Sequence, residues 1–276
     1  MCQLAWAGDT RVKPRTQASL ALSGDGEQWV LLNATPDLRA QVLATPALQP
    51  RADLRSSPIA AVILTGAEVD QVAGLLTLRE RQAFTVLATG DTLTALNANP
   101  IFGVLASDLV HRQNVALGVR FPLPGGLEAE LFAVPGKVAL YLEGDAPALA
   151  AETGANVGVE IICGTHRLAY VPGAAAVPPA LRERLAGADV ILFDATLFTD
   201  DEMIATGTGE KSGRRMGHMP LDGADGTLAA LAGLGRRRIL THINNTNPIL
   251  IDGSPQRRKV EAAGYEVAED GMEIVL

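Results

Sequence analysis

Cysteine is close to absent: of 276 residues only Cys2 and Cys163 carry thiols, far apart in the chain. That count excludes a disulfide framework and suits a reducing compartment. Histidine is scarce as well, with four in the whole chain, which limits any imidazole-rich centre. Aromatic residues make up 4%, and 23 Lys plus Arg stand against 31 Asp plus Glu, a net charge of -8. A surface of that sign repels phosphate backbones, and no basic stripe with interleaved aromatics offsets it, so nucleic acid is not an expected partner. Long apolar runs are missing too. The clearest, Ile59 to Leu64 and Val190 to Phe193, fall far short of the roughly 20 residues that a membrane-spanning helix needs. The segment Met1 to Trp6 has no basic stretch followed by an apolar one, so no signal peptide is expected and the chain reads as cytoplasmic.

Hydrophobic residues account for 47%, enough for a sizeable core. Gln17 to Ser23 alternates, Gly24-Asp25-Gly26 turns, and Gln28 to Asn33 runs back, which predicts a β-hairpin. Thr35-Pro36-Asp37 predicts a helix start, with Thr35 as N-cap. From Ile59 onward, buried strands alternate with helices: a strand at Ile59 to Thr65, a helix at Val69 to Gln82, a strand at Thr85 to Ala88, a helix at Asp91 to Ala98. Val119 to Leu142 reads as antiparallel strands broken by prolines and glycines, and Val157 to Cys163 pairs with Arg167 to Val171 around a turn containing His166. A helix at Pro178 to Ala186, strands at Val190 to Phe193 and Arg238 to Thr241, and a helix at Gly226 to Ala232 complete the pattern. No repeat or linker interrupts it. The expectation is an α/β (α+β) αββα sandwich forming one domain over 1–276.

Three of the apolar strands end in polar, metal-competent side chains. Val62 to Thr65 leads to Glu68 and Asp70, Val190 to Phe193 leads to Asp194, and Ile239 to Thr241 leads to His242, Asn244 and Asn245. Ligand sites in α/β folds gather beyond the carboxyl ends of strands. Two carboxylates and an imidazole converging there make a mixed O/N set that suits Fe(II) or Mn(II) at least as well as zinc. Taken singly, Asp70 and Asp194 also fit ordinary capping roles, and His242 a hydrogen-bonded loop position. The segment Gly207 to Pro220 is glycine-rich and carries Lys211, Arg214, Arg215 and His218. It fits a loop that grips an anionic small molecule, and equally a solvated loop whose arginines pair with Asp200, Asp201 and Glu202. His218 fits a metal ligand or an acid–base group beside one. His111 reads as a surface residue.

Arg15 to Leu20, Leu32 to Gln41, Asp70 to Glu80, Met216-Gly217-His218 and above all the run His242 to Pro248 resemble the PqqB family, metallo-β-lactamase-like proteins of pyrroloquinoline quinone (PQQ) biosynthesis. The resemblance covers nearly the whole chain and implies a metallo-β-lactamase-like αββα sandwich. It further implies an iron-dependent oxygenase hydroxylating the tyrosine ring of a cross-linked Glu–Tyr intermediate, or a carrier of PQQ or its precursor. Two departures stand out. The family's opening strand, Gly-rich loop and cysteine cluster are represented only by Cys2, so the first strand is expected to be missing and the family's structural zinc absent. The His-x-His-x-Asp-His run of the wider hydrolases reads Gly66, Glu68, Asp70, Gln71 here, with Gln71 where the family usually keeps histidine.

The resulting expectations are a metal set of Asp70, Asp194 and His242, weakened by Gln71, with Fe(II) as the metal and dioxygen as co-substrate. His218 is expected to move protons, while Lys211, Arg214, Arg215, Asn244 and Asn245 hold the carboxylate-rich substrate. A dinuclear zinc hydrolase fits poorly, since no histidine lies between Thr65 and Gln71. A homodimer is left open.

Overall fold

The computed structural model describes residues 1–51, 56–145 and 148–276. Among the described residues, twelve strands form two sheets. The first holds β1 (Leu20–Leu22), β2 (Trp29–Leu32), β3 (Ile59–Ile63), β4 (Phe84–Ala88) and β5 (Val110–Asn114) in sequential order. Its opening pair is the expected antiparallel hairpin, with Leu20 opposite Leu32, and the remaining pairs are parallel.

The second sheet comprises β6 (Arg120–Pro122), β7 (Glu128–Ala133), β8 (Val157–Cys163), β9 (His166–Val171), β10 (Val190–Asp194), β11 (Arg237–Thr241) and β12 (Tyr265–Val267). Antiparallel pairing runs from β6 to β9, then parallel pairing from β9 through β10 and β11 to β12. His166 opens β9 instead of sitting in the turn, because it pairs directly with Cys163.

The apolar residues sort into three layers, as two stacked sheets covered by helices demand. Leu32 and Ile63 of the first sheet meet Tyr170 and Leu192 of the second between the sheets. Outside the first sheet, Leu31, Val62 and Val86 pack on Leu38, Leu75 and Leu96. Outside the second, Ile191 and Phe193 pack on Leu181, Leu185 and Val260. Strands facing both layers, such as β3 and β10 up to its final Asp194, are therefore apolar. The described residues make an αββα sandwich.

Several local expectations shift. The helix predicted at Val69 to Gln82 is one α-turn, Val69–Val72, followed by a 3-10 stretch, Ala73–Leu78. Gly74 approaches the 34–35 backbone so closely that a Cβ there would lie 2.1 Å from the Thr35 carbonyl oxygen, and its N–H donates to Ala34 O. This docking replaces the regular helical ladder. The helix predicted from Thr35 starts at Leu38, with Asp37 at the cap position and its carboxylate accepting from Gln17 N. The helix at Gly226 to Ala232 shortens to Thr227–Ala230. Strands β5 and β12 and the helix Pro255–Ala262 were not anticipated.

Candidate metal centre

The three polar strand endings do converge. Asp194 closes β10, and with no exposure its carboxylate is satisfied from every side. Ala174 N–H donates to Oδ2 at 3.0 Å, Thr196 N–H to Oδ1 at 3.0 Å, and the Thr196 hydroxyl lies 2.6 Å from Oδ1. His218 Nδ1 is 2.6 Å from Oδ2. His242 follows β11 in the left-handed backbone region, φ 54, a conformation costly for a residue with a Cβ and typical of functional positions. That backbone turns its ring back over the strand ends: Nδ1 lies 3.6 Å from Asp194 Oδ1 and 2.9 Å from the Thr196 hydroxyl, while Nε2 lies 2.8 Å from Asp70 Oδ2. The rings of His218 and His242 stack, with centroids 5.4 Å apart.

Ligand atoms of Asp194, His218 and His242 lie within 4.8 Å of one another. This group holds two of the three expected ligands, Asp194 and His242, together with His218. His218, expected as a ligand or as an acid–base group, is their mutual neighbour, and Asp70 touches the group through His242 Nε2. Asp70 also lines a cavity of about 340 Å³ with Gln17, Glu68, Val69, Leu140 and Tyr141. Asp70 is thus the residue that joins this space to the cluster, through His242.

Electrostatics hold the group together. Burial opposes ionisation of Asp194, but the charge and hydrogen bonds of His218 and His242 outweigh it, and its carboxyl sits well below the usual range. Asp70 is lowered in the same way, burial being overcome chiefly by His242. Burial likewise opposes charging of His242, yet Asp194 and Asp70 raise it to about 10. Without metal, the cluster is a carboxylate–imidazolium–carboxylate chain.

Gln71 does not enter the cluster. Its side chain closes a capping box with Glu68, Oε1 accepting from Glu68 N at 3.1 Å. The expected substrate-binding residues divide. Lys211 and Arg215 face Glu143, at 4.0 and 3.3 Å. Arg214 instead pairs with Asp225, and its N–H donates to Asp200 Oδ1, in a separate cleft lined also by Thr199, Pro220 and Asp222. The short helix Gly213–Met216 explains this, since consecutive residues on a helix point about 100° apart. Asn244 is turned towards Met203 Sδ and Thr246 Oγ1, and Asn245 is exposed. The amide that shapes the loop is Asn247, fully buried, donating to Ala195 O and accepting from Ile249 N. Cys2 is a half-buried free thiol in the helix Cys2–Trp6. Thr196, two residues past Asp194, was missed, because a lone threonine after a strand carries no pattern of its own.

The described architecture and this cluster define a member of the β-lactamase superfamily, whose domain matches residues 28–243. More narrowly, the chain belongs to the coenzyme PQQ synthesis protein B family: it is 56% identical to that protein of Methylobacterium nodulans over 100% of this chain and 93% of the relative. The crystal structure of Zn(2+)-bound PqqB from Methylobacterium extorquens superposes with a TM-score of 0.97 at 53% identity, covering 100% of this chain and 92% of that one. A diphosphatase of the PhnP family shares the fold, with a TM-score of 0.67 at 19% identity over 98% of this chain and 88% of that one.

Proposed function

We propose that this protein acts in PQQ biosynthesis as an iron-dependent oxygenase that hydroxylates the tyrosine-derived ring of the cross-linked Glu–Tyr intermediate. Its relatives' names support the pathway. One observation supports the chemistry: Asp194, His218 and His242 form a compact two-imidazole, one-carboxylate donor set, and Asp70, bonded to His242, lines a cavity of about 340 Å³.

The donor set fits a divalent metal. The Asp194 carboxyl is held ionised, two imidazoles face it, and Ala174 N–H and Thr196 fix the carboxylate as neighbours of metal ligands do. Two histidines and a carboxylate leave coordination positions for substrate and dioxygen, which suits Fe(II). Bound there, iron would supply the activation of dioxygen. The chain's own residues do the rest. Thr196 orients both imidazoles. Asp70, ionised and lining the cavity, is placed to accept a hydrogen bond from a phenol hydroxyl entering it. Leu140, Tyr141 and Val69 give that cavity an apolar wall suited to a ring.

A two-metal hydrolase needs a second donor set close by. The remaining histidines do not supply one: His166 begins β9, at the opposite end from the site because β9 and β10 run parallel, and His111 lies exposed in β5. The test is aerobic incubation of iron-loaded protein with the cross-linked diamino acid. Oxygen uptake with a hydroxylated ring is expected. Verified iron binding without either outcome contradicts the oxygenase and favours a carrier, which tight PQQ binding by metal-free protein would then establish.

A further inference from the structure

Lys137 lies outside the metal cluster yet touches both of its flanks. Its stem crosses Gly217, where a Cβ would stand 3.1 Å from Lys137 Cγ, directly before His218 in the chain. Its ammonium lies 3.2 Å from Glu68 Oε1, two residues before Asp70, and 2.7 Å from Glu143 Oε1. Glu143 gathers two more cations through its other oxygen, with Arg215 nitrogens at 3.3 and 3.4 Å and Lys211 Nζ at 4.0 Å. The Lys137 and Glu143 side chains keep only 10% and 8% exposure, whereas Arg215 and Lys211 keep 38% and 44%.

Three cations thus face two carboxylates, leaving positive charge over in a chain of net charge -8. The pairing is also loose. Arg215 spends both nitrogens on one oxygen, whereas Arg237 grips the two oxygens of Glu266 at 2.6 and 2.8 Å. A guanidinium fork is matched to two acceptor oxygens, so this one is under-used and accessible.

We propose that Lys137, Arg215 and Lys211 form a carboxylate-binding subsite for the substrate of this centre, with Glu143 holding the three cationic heads in place. Lys137 joins this subsite to the segments that carry Asp70 and His218, so the same molecule can reach the cluster. The subsite deepens the reading above, and rests on it only for the identity of the ligand. Its chemistry calls for any compact di- or tricarboxylate.

Calorimetric titration of the metal-free full chain with PQQ, and separately with glutarate, tests this. Lys137→Gln and Arg215→Gln are each expected to weaken both ligands about tenfold, the scale of one lost charge-assisted hydrogen bond. Lys137→Arg should restore most of the loss. Glu143→Gln, which removes the competing charge but keeps the shape, should tighten binding severalfold. Thermal denaturation run alongside separates a structural effect: a lower Tm with unchanged Kd for both ligands in Lys137→Gln and in the more exposed Arg215→Gln overturns the subsite, as does failure of the wild type to bind either ligand at millimolar concentration. Binding of glutarate with the expected pattern, but not of PQQ, upholds the subsite and removes the PQQ reading.

Discussion

At the scale of single residues, Thr196 and His242 decide how the centre behaves. The Thr196 hydroxyl lies within 3.1 Å of Asp194, His218 and His242 together, so it fixes three donors at once. Thr196→Val keeps the shape and removes that hydroxyl; iron affinity should fall about 10- to 100-fold, the usual effect of losing a group that orients metal ligands. Competition against a chromophoric chelator measures it, and an unchanged affinity would show that the hydroxyl is a bystander. His242 sets the pH dependence. Its folded-state pKa is raised from 6.5 to about 10, so in metal-free protein its ion pairs contribute fully below about 6.5 and are lost as the pH rises through about 10. A metal needs the neutral ring and therefore competes with a proton. Apparent affinity should rise about tenfold per pH unit between about pH 6.5 and 9, with about one proton released per metal bound. A flat profile would show that His242 is not displaced from its carboxylates.

At the scale of elements, the docking of the turn after β3 carries the site. Gly74→Ala forces a Cβ against the 34–35 backbone, and should cost about 2–4 kcal/mol in urea denaturation, since backbone cannot yield as a side-chain tip can. Gln71→Ala removes a capping-box partner and should cost about 1 kcal/mol while leaving iron affinity within about twofold, because Gln71 bonds to backbone and not to the cluster. A large loss of affinity would mean that Gln71 reaches the metal. These elements also mark what the sequence discloses. Apolar runs bounded by turns announce β2, β3, β4, β8 and β10, because strands covered on both faces read as short, near-continuous apolar stretches. Strand β5, Val-His-Arg-Gln-Asn, is polar and edge-placed, so its composition hides it. Convergence of Asp70, Asp194 and His242 was legible because each follows a strand end. That His218 stands beside them was legible too, but its contact with Asp194 through Nδ1 was not, since that depends on the turn through Gly217, φ 86. Arg214 and Arg215 look equivalent in sequence, and the helical rotation between them sends one to Asp225 and the other to Glu143.

At the scale of the whole molecule, two stacked sheets place the ends of β3, β10 and β11 along one rim, where Asp194 is fully buried. An overall charge of -8 makes the cationic group around Glu143 a local exception, which gives a carboxylate-rich ligand one place to settle. The superfamily fold alone does not choose between hydrolysis and oxygen chemistry; the number and kind of donors at the rim do. The most direct measurement is an anomalous difference map from crystals of iron-loaded protein, collected at the iron edge. The expectation is one peak at the rim, within bonding distance of Asp194, His218 and His242. A peak that excludes those three side chains, or two peaks side by side there, would contradict it.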